Sequence, residues 1–280
     1  MKMLPLKKIF GAVVFASAII TSSVGYAANI TSFFNPDYIN GMQDRDRDRI
    51  LDAQGNVKTT GNFAVGDVFE AVLQFDSVQW VDGNVIVNDT PIGNAPGVYA
   101  YSAVEIASIT PGVLAGTIDV AFAAANGASM IDLYEGTPVP ANIFDNGVSA
   151  DTAISAVQSL TKIATFGIGE ADDFWTATIT TTVDALAPTL TSNIQPSGQF
   201  GLSILSDPGN LNLLDNGILG ADGNLHDIIG KASVTNSAAD GWLVATDTKV
   251  FFQTVPEPNT LALMGIAVLL GAFSQRGRKV

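Results

Sequence analysis

The 280 residues contain no cysteine and a single histidine, His226. Without cysteine there is no disulfide framework and no thiolate nucleophile, so a chain bound for an oxidising exterior must hold its fold by burial. Histidine and cysteine together are too few for a zinc site of the usual donors. Nucleophilic catalysis needs a base beside the nucleophile, and His226, between Leu225 and Asp227 in a turn-like segment, reads as an exposed side chain. No Gly-x-Ser-x-Gly elbow, phosphate loop or dinucleotide fingerprint occurs. Carboxylates that could serve in pairs exist at Glu70, Glu105, Glu135, Glu170, Asp172 and Asp173, but nothing in the sequence sets two of them across a cleft. These absences predict a protein that is not an enzyme.

Basic residues are scarce too, 13 against 27 acidic ones, and six of them lie in two short terminal stretches. Residues 28–254 carry 26 acidic and 7 basic side chains, a net charge of −19. A field of that sign repels nucleic acid and anionic membrane surfaces and favours solubility and divalent cations, so no nucleic-acid partner is expected.

The two long hydrophobic runs stand at the ends. Lys2, Lys7 and Lys8 precede an apolar stretch from Ile9 to Ile20, and small residues follow up to Gly25-Tyr26-Ala27, the three-part plan of a secretory signal peptide over residues 1–27. At the other end, Val255-Pro256-Glu257-Pro258 leads into an uncharged apolar run from Leu261 to Phe273 and then Arg276, Arg278 and Lys279. With its polar flanks the run reaches the roughly 20 residues needed to cross a bilayer as a helix. The terminal cations would be retained on the cytoplasmic side.

The order Pro-Glu-Pro, hydrophobic helix, basic tail resembles the PEP-CTERM sorting signal of Gram-negative bacteria. The match is residue for residue at Pro256, Glu257 and Pro258, extends through Arg276 and Arg278, and covers about a tenth of the chain. The resemblance implies that residues 255–280 are read by exosortase, a membrane protease-transpeptidase. The protein would then pass from an inner-membrane intermediate, held by the C-terminal helix, to the cell surface or the extracellular space.

Between the ends, the apolar pattern has period two and is carried by Val, Ile, Phe, Thr and Tyr, which suit a pleated, half-buried surface. Phe69, Ala71, Leu73 and Phe75 line one face of a strand at 68–75. Leu114, Ile118, Val120 and Phe122 do so at 113–122, and Trp175, Ala177, Ile179 and Val183 at 174–183. Further strands are expected at 85–87, 98–106, 130–134, 164–168, 200–205 and 248–253, with Gly, Asn, Asp and Pro clusters between them. Short helices could intrude at 150–160 and 211–219. About nine short strands predict an all-β body, a two-sheet β-sandwich with long turn-rich loops over residues 28–254.

One local cluster has a chemical look: Asp44-Arg45-Asp46-Arg47-Asp48-Arg49-Ile50-Leu51-Asp52. Alternate aspartates can converge on Ca²⁺, and Asp44, Asp46, Asp48 and Asp52 are its candidate ligands. The pattern fails where a turn glycine and a closing glutamate belong, at Arg49 and Gly55, so a solvated turn with each arginine screening its neighbours stands beside the calcium site. A second acidic loop, from Asp215 through Asp222 and Asn224 to Asp227, fits no motif. Trp80, Tyr99, Tyr101, Tyr134 and Trp242 could form a sugar-stacking platform or ordinary packing.

The functional expectation is an exported surface or matrix component. The resemblance implies an association with exopolysaccharide and with biofilm or floc. A carbohydrate-binding β-sandwich module is the alternative, and a secreted hydrolase a more distant one. No cofactor is expected beyond Ca²⁺.

Overall fold

The computed structural model describes residues 30–59, 63–93, 96–114, 116–180, 197–237 and 240–255. The signal-peptide and membrane-helix readings, and Val183, lie outside them. Among the described residues no helix is long and apolar enough to cross a membrane.

Among the described residues a 3-10 turn, Ile30–Phe33, leads into thirteen strands: β1 Ile39–Leu51, β2 Val68–Asp82, β3 Val85–Pro91, β4 Gly97–Pro111, β5 Thr117–Ala124, β6 Ser129–Gly136, β7 Thr161–Gly167, β8 Phe174–Thr180, β9 Ser197–Ser206, β10 Ile218–Leu219, β11 Leu225–His226, β12 Ile228–Ser237 and β13 Val244–Phe252. One helix, α1 Ala150–Gln158, interrupts them. Ser149 caps it, its Oγ accepting the Thr152 N–H at 3.2 Å, and Asp151 stands in its first turn, where a negative charge suits the helix dipole.

The all-β expectation holds, but the architecture is not two facing sheets. Eleven strands form one antiparallel sheet in the order β3-β2-β1-β13-β12-β9-β7-β6-β4-β5-β8, and extra pairings β2–β4 and β8–β9 join it back on itself. Passing through β1, β2, β4, β5, β8, β9, β12 and β13 therefore returns to β1, an eight-stranded closed circuit. The other ends of β4 and β9 splay away to hold β6 and β7. Such closure removes sheet edges that would otherwise expose unpaired backbone groups. A two-stranded ribbon, β10–β11, lies apart.

Strand length is what makes the double use possible. β2 and β4 have 15 residues each, so one stretch of a strand pairs within the circuit and another outside it. Gln43/Asp44 marks a bulge between β1 and β2, the kind of irregularity that bends a strand enough to close a barrel. Inside, Leu73, Phe75, Val98, Phe200, Leu202 and Ile228 belong to the main core. On the outer face Val72 of β2 and Tyr99 of β4 join Tyr134 of β6 and Trp242, just before β13, in a cluster with α1, so β2 and β4 bury both faces where the helix covers them. Gly230 is required by the packing of the main core: a Cβ there would stand 2.0 Å from Cζ of the Phe200 ring.

Three sequence expectations need correction. The strand read at 113–122 starts only at Thr117, because the Gly112 N–H bonds to the Thr117 carbonyl at 2.9 Å and the Thr117 N–H to the Leu114 carbonyl at 3.1 Å, turning the chain back before the strand begins. Val113 and Leu114 consequently face solvent, 98% and 70% exposed. Residues 211–219 form no helix, since Asn212 and Asn216 take left-handed backbone angles and Leu213 bridges to Thr254. The third is β1 itself, which reads in sequence as a polar turn and is the longest strand after β2 and β4.

Candidate functional site

The alternation of β1 places the three aspartates and the three arginines of its charged run on opposite sides of the barrel wall. Arg45, Arg47 and Arg49 point outward, each to a different partner. The Arg45 Nε lies 2.8 Å from Asp76, the Arg47 guanidinium lies over the Phe144 ring at 5.2 Å, and Arg49 joins Glu70 at 2.7 Å and Asp151 of α1 at 2.6 Å. Tyr101 donates its hydroxyl to the other Glu70 oxygen. The screened-turn reading therefore fails, because residues i and i+1 of a strand cannot face one another.

Asp44, Asp46 and Asp48 point inward. The backbone ladder between β1 and β13 pairs Gln43 with Lys249 and resumes only at Asp48 with Val244. In that gap carboxylates take the place of carbonyls. Asp44 Oδ1 accepts the Thr248 N–H at 2.8 Å and Asp46 Oδ1 the Thr246 N–H at 2.6 Å. Asp46 Oδ2 accepts the Thr248 hydroxyl at 2.8 Å, and Asp48 Oδ2 the Thr246 hydroxyl at 3.0 Å. Asp44 Oδ2 is buried without a hydrogen-bond partner.

Burial disfavours the charged form of each group. It pushes the Asp44 carboxyl well above the usual aspartate range, helped by the neighbouring Asp46 charge. Asp48 is raised well above that range for the same two reasons. Asp46 is raised by burial, while the hydrogen bonds from Thr246 and Thr248 pull it back.

The candidate calcium ligands are thus only partly brought together. Asp52 lies beyond the strand in an exposed turn, its Oδ1 accepting the Gln54 and Asn56 N–H groups at 2.9 and 2.8 Å. Those bonds, first of all from Asn56, hold its carboxyl below the ordinary range. Among the described residues no three His, Asp or Glu side chains form a metal-holding group.

Asp46 and Asp48 line a cavity of about 120 Å³ inside the barrel. Phe69, Leu73, Phe122, Trp175, Ile179 and Phe200 supply most of its apolar wall. Four of these form an arc of ring contacts: Phe69 to Phe122 at 5.7 Å, Phe122 to Trp175 at 6.2 Å and Trp175 to Phe200 at 4.7 Å. The sequence pattern sets Phe69 and Leu73 on one face of their strand and Trp175 and Ile179 on one face of theirs, and the structure brings the two faces together. It gave no sign that a carboxylate row shared their space, because charge at every position of a run conceals its period.

His226 is the second correction in this region. It is 1% exposed, although its sequence neighbours suggest a surface turn. Its Nε2 lies 3.2 and 3.3 Å from the Asp222 oxygens, its Nδ1 lies 3.5 Å from Asp173 Oδ1, and its ring meets Phe174 edge to face. Gly201 and Gly220 make room for it, since a Cβ at either would stand 2.4 or 2.8 Å from ring atoms. Asp173 uses its other oxygen on the Gly169 and Glu170 N–H groups, both at 2.7 Å. Among the described residues neither nitrogen of His226 bonds to a hydroxyl, and its contacts with Asp222 and Asp173 link β11 to the loop before β8.

Tyr99, Tyr134 and Trp242 are buried beneath α1, and Trp80 gives its Nε1–H to the Phe33 carbonyl at 2.9 Å while stacking on Tyr38. The aromatic residues singled out in the sequence form packing, with no shared exposed platform.

Residues 254–279 match the PEP-CTERM protein-sorting motif. Such motifs mark exported proteins that exosortase sorts through a membrane-associated intermediate to the surface or exterior. The chain is thus a PEP-CTERM motif-containing protein, with exosortase implied as its processing partner. Pro256, Glu257, Pro258, Arg276 and Arg278 lie inside the motif and outside the described residues. No curated protein and no solved structure matches the chain.

Proposed function

We propose that this protein is a non-enzymatic surface or matrix component, released by exosortase with an intact barrel and acting as a structural or adhesive partner of exopolysaccharide in biofilm or floc. The supporting observation is where the barrel ends relative to the motif. The last strand stops at Phe252, Thr254 bridges to Leu213, and the Val255 N–H reaches the Asn212 carbonyl at 2.9 Å. Every strand of the described residues lies upstream of Pro256, so cutting within the motif removes the anchor without taking a strand from the circuit. In this reading the inward aspartates serve the barrel rather than a calcium ion.

Mass spectrometry of protein recovered from the producing cells should give an N-terminus near Ala28 and a C-terminus between Val255 and Pro258. Intact Arg276 to Val280 in the extracellular fraction would overturn the sorting step. A deletion strain should lose aggregation or matrix retention while polysaccharide hydrolysis is unchanged; unaltered aggregation would refute the adhesive role.

A further inference from the structure

The barrel cavity has two properties that do not belong together in an ordinary core. Its walls are mostly apolar and aromatic, yet Asp46 and Asp48 both open into it, and among the described residues its lining contains no lysine, arginine or histidine. All three arginines of β1 lie on the far side of the wall, engaged with Asp76, Phe144, Glu70 and Asp151. Buried carboxylates are normally paired with a cation or a metal. Here threonine N–H and hydroxyl groups are the partners of Asp46 and Asp48, and the next carboxylate in the row, Asp44, lies outside the lining and keeps one oxygen buried with no partner. Asp48 retains part of its accessible surface, although it faces inward from the middle of a strand. The exposed Ser233 lines the same cavity, so its interior reaches solvent at that end.

We propose that the barrel interior binds a small amphipathic cation, with a primary ammonium head at Asp46 and Asp48 and an apolar ring among Phe69, Phe122, Trp175 and Phe200. Size restricts the class. An apolar cavity of about 150 Å³ accepts benzene, so a space of about 120 Å³ limits the apolar part of the ligand to a single ring and excludes a polysaccharide chain. Chemistry supplies the rest: the ammonium provides the countercharge that the lining lacks, and the aromatic faces favour a nearby cation.

The probe is benzylamine, with benzyl alcohol as its neutral counterpart of similar size. Both are titrated into protein purified from the producing organism, following tryptophan fluorescence, since Trp175 lies in the cavity wall, together with calorimetric heat. Benzylamine is expected to bind at least tenfold more tightly than benzyl alcohol and to raise the melting temperature where the alcohol does not. Asp48→Asn should remove that preference, bringing the two affinities within about twofold, and Ala177→Leu, which narrows the cavity, should weaken both. Equal binding of the two probes by the natural protein, no binding of either, or an unchanged benzylamine affinity in a folded Asp48→Asn variant would each overturn the proposal. The comparison of the two probes on the natural protein needs no variant and decides the matter if a substitution fails to fold.

Discussion

Replacing Asp46 by alanine tests the seam between β1 and β13 directly. Over the four residues from Asp44 to Arg47 no backbone pair joins these strands, and the connection passes through carboxylates. Asp46 contributes two bonds, to the Thr246 N–H at 2.6 Å and to the Thr248 hydroxyl at 2.8 Å. A buried donor left without an acceptor costs about 1–3 kcal/mol, so two would cost about 2–6 kcal/mol. Against this, the substitution removes a buried acid whose charge works against Asp44 and Asp48, and the threonine hydroxyl can turn to another acceptor. The expected net loss is about 2–4 kcal/mol, which lowers the melting temperature of a protein this size by roughly 5–15 °C. Asp46→Asn keeps an oxygen for the Thr246 N–H and should cost no more than about 1 kcal/mol, the net worth of one hydrogen bond. Differential scanning calorimetry of the two variants beside the natural protein is the assay. An alanine variant as stable as the natural protein would refute the seam. So would an asparagine variant as damaged as the alanine one, because negative charge rather than an acceptor would then be what β13 requires.

Stability should also change with pH in the direction opposite to ordinary acid denaturation. Asp44, Asp46 and Asp48 have folded-state values above their unfolded ones, so from about pH 4 upward the folded state keeps protons that the unfolded chain has lost, and stability falls as pH rises through that window. The melting temperature should be higher at pH 4.5 than at pH 7, and Asp44→Asn with Asp48→Asn should flatten the difference; an undiminished slope in that variant would assign it to the acidic surface instead. Arg49→Ala leaves Glu70, 12% exposed at its side chain, without its cation and unties α1 from β1. The expected cost is about 3 kcal/mol by urea unfolding, with Arg49→Lys restoring only part of it because an ammonium cannot reproduce the two-armed contact; full recovery with lysine would refute the geometry.

The strands that sequence made legible are those whose apolar residues alternate with polar ones. Phe69-x-Ala71-x-Leu73 and Trp175-x-Ala177-x-Ile179 declared both their period and the face they bury, and those residues line the cavity. β1 alternates just as strictly, but between aspartate and arginine, and a scale that counts both as polar sees no alternation. β12 was missed for a related reason, since Gly230 and Lys231 interrupt its pattern, and Gly230 is needed because Phe200 occupies the space above it. Closure of the sheet was not legible either. It depends on β2 and β4 being long enough to pair with three neighbours each, and strand length is least certain where turns and strands share threonine and glycine. The burial of His226 depends on Gly201 and Gly220, which stand 25 and 6 residues away from it in sequence.

The same seam connects the fold to the sorting signal. β1 opens the sheet and β13 ends it, so the bonds from Asp44 and Asp46 to Thr248 and Thr246 join groups 200 or more residues apart. Contacts of that separation cannot form until almost the whole body is present, because closing so long a loop is repaid only when both ends are in place. The motif begins at Thr254, two residues beyond the last strand. On the proposed reading, the boundary between what must remain and what exosortase would remove falls between Val255, which still hydrogen-bonds to Asn212, and Pro258. A cut upstream of Phe252 would take strand pairs from the seam, with the Asp44 and Asp46 carboxylates losing their donors if it fell before Thr246. A cut at Pro256 or beyond leaves every pair of the circuit in place.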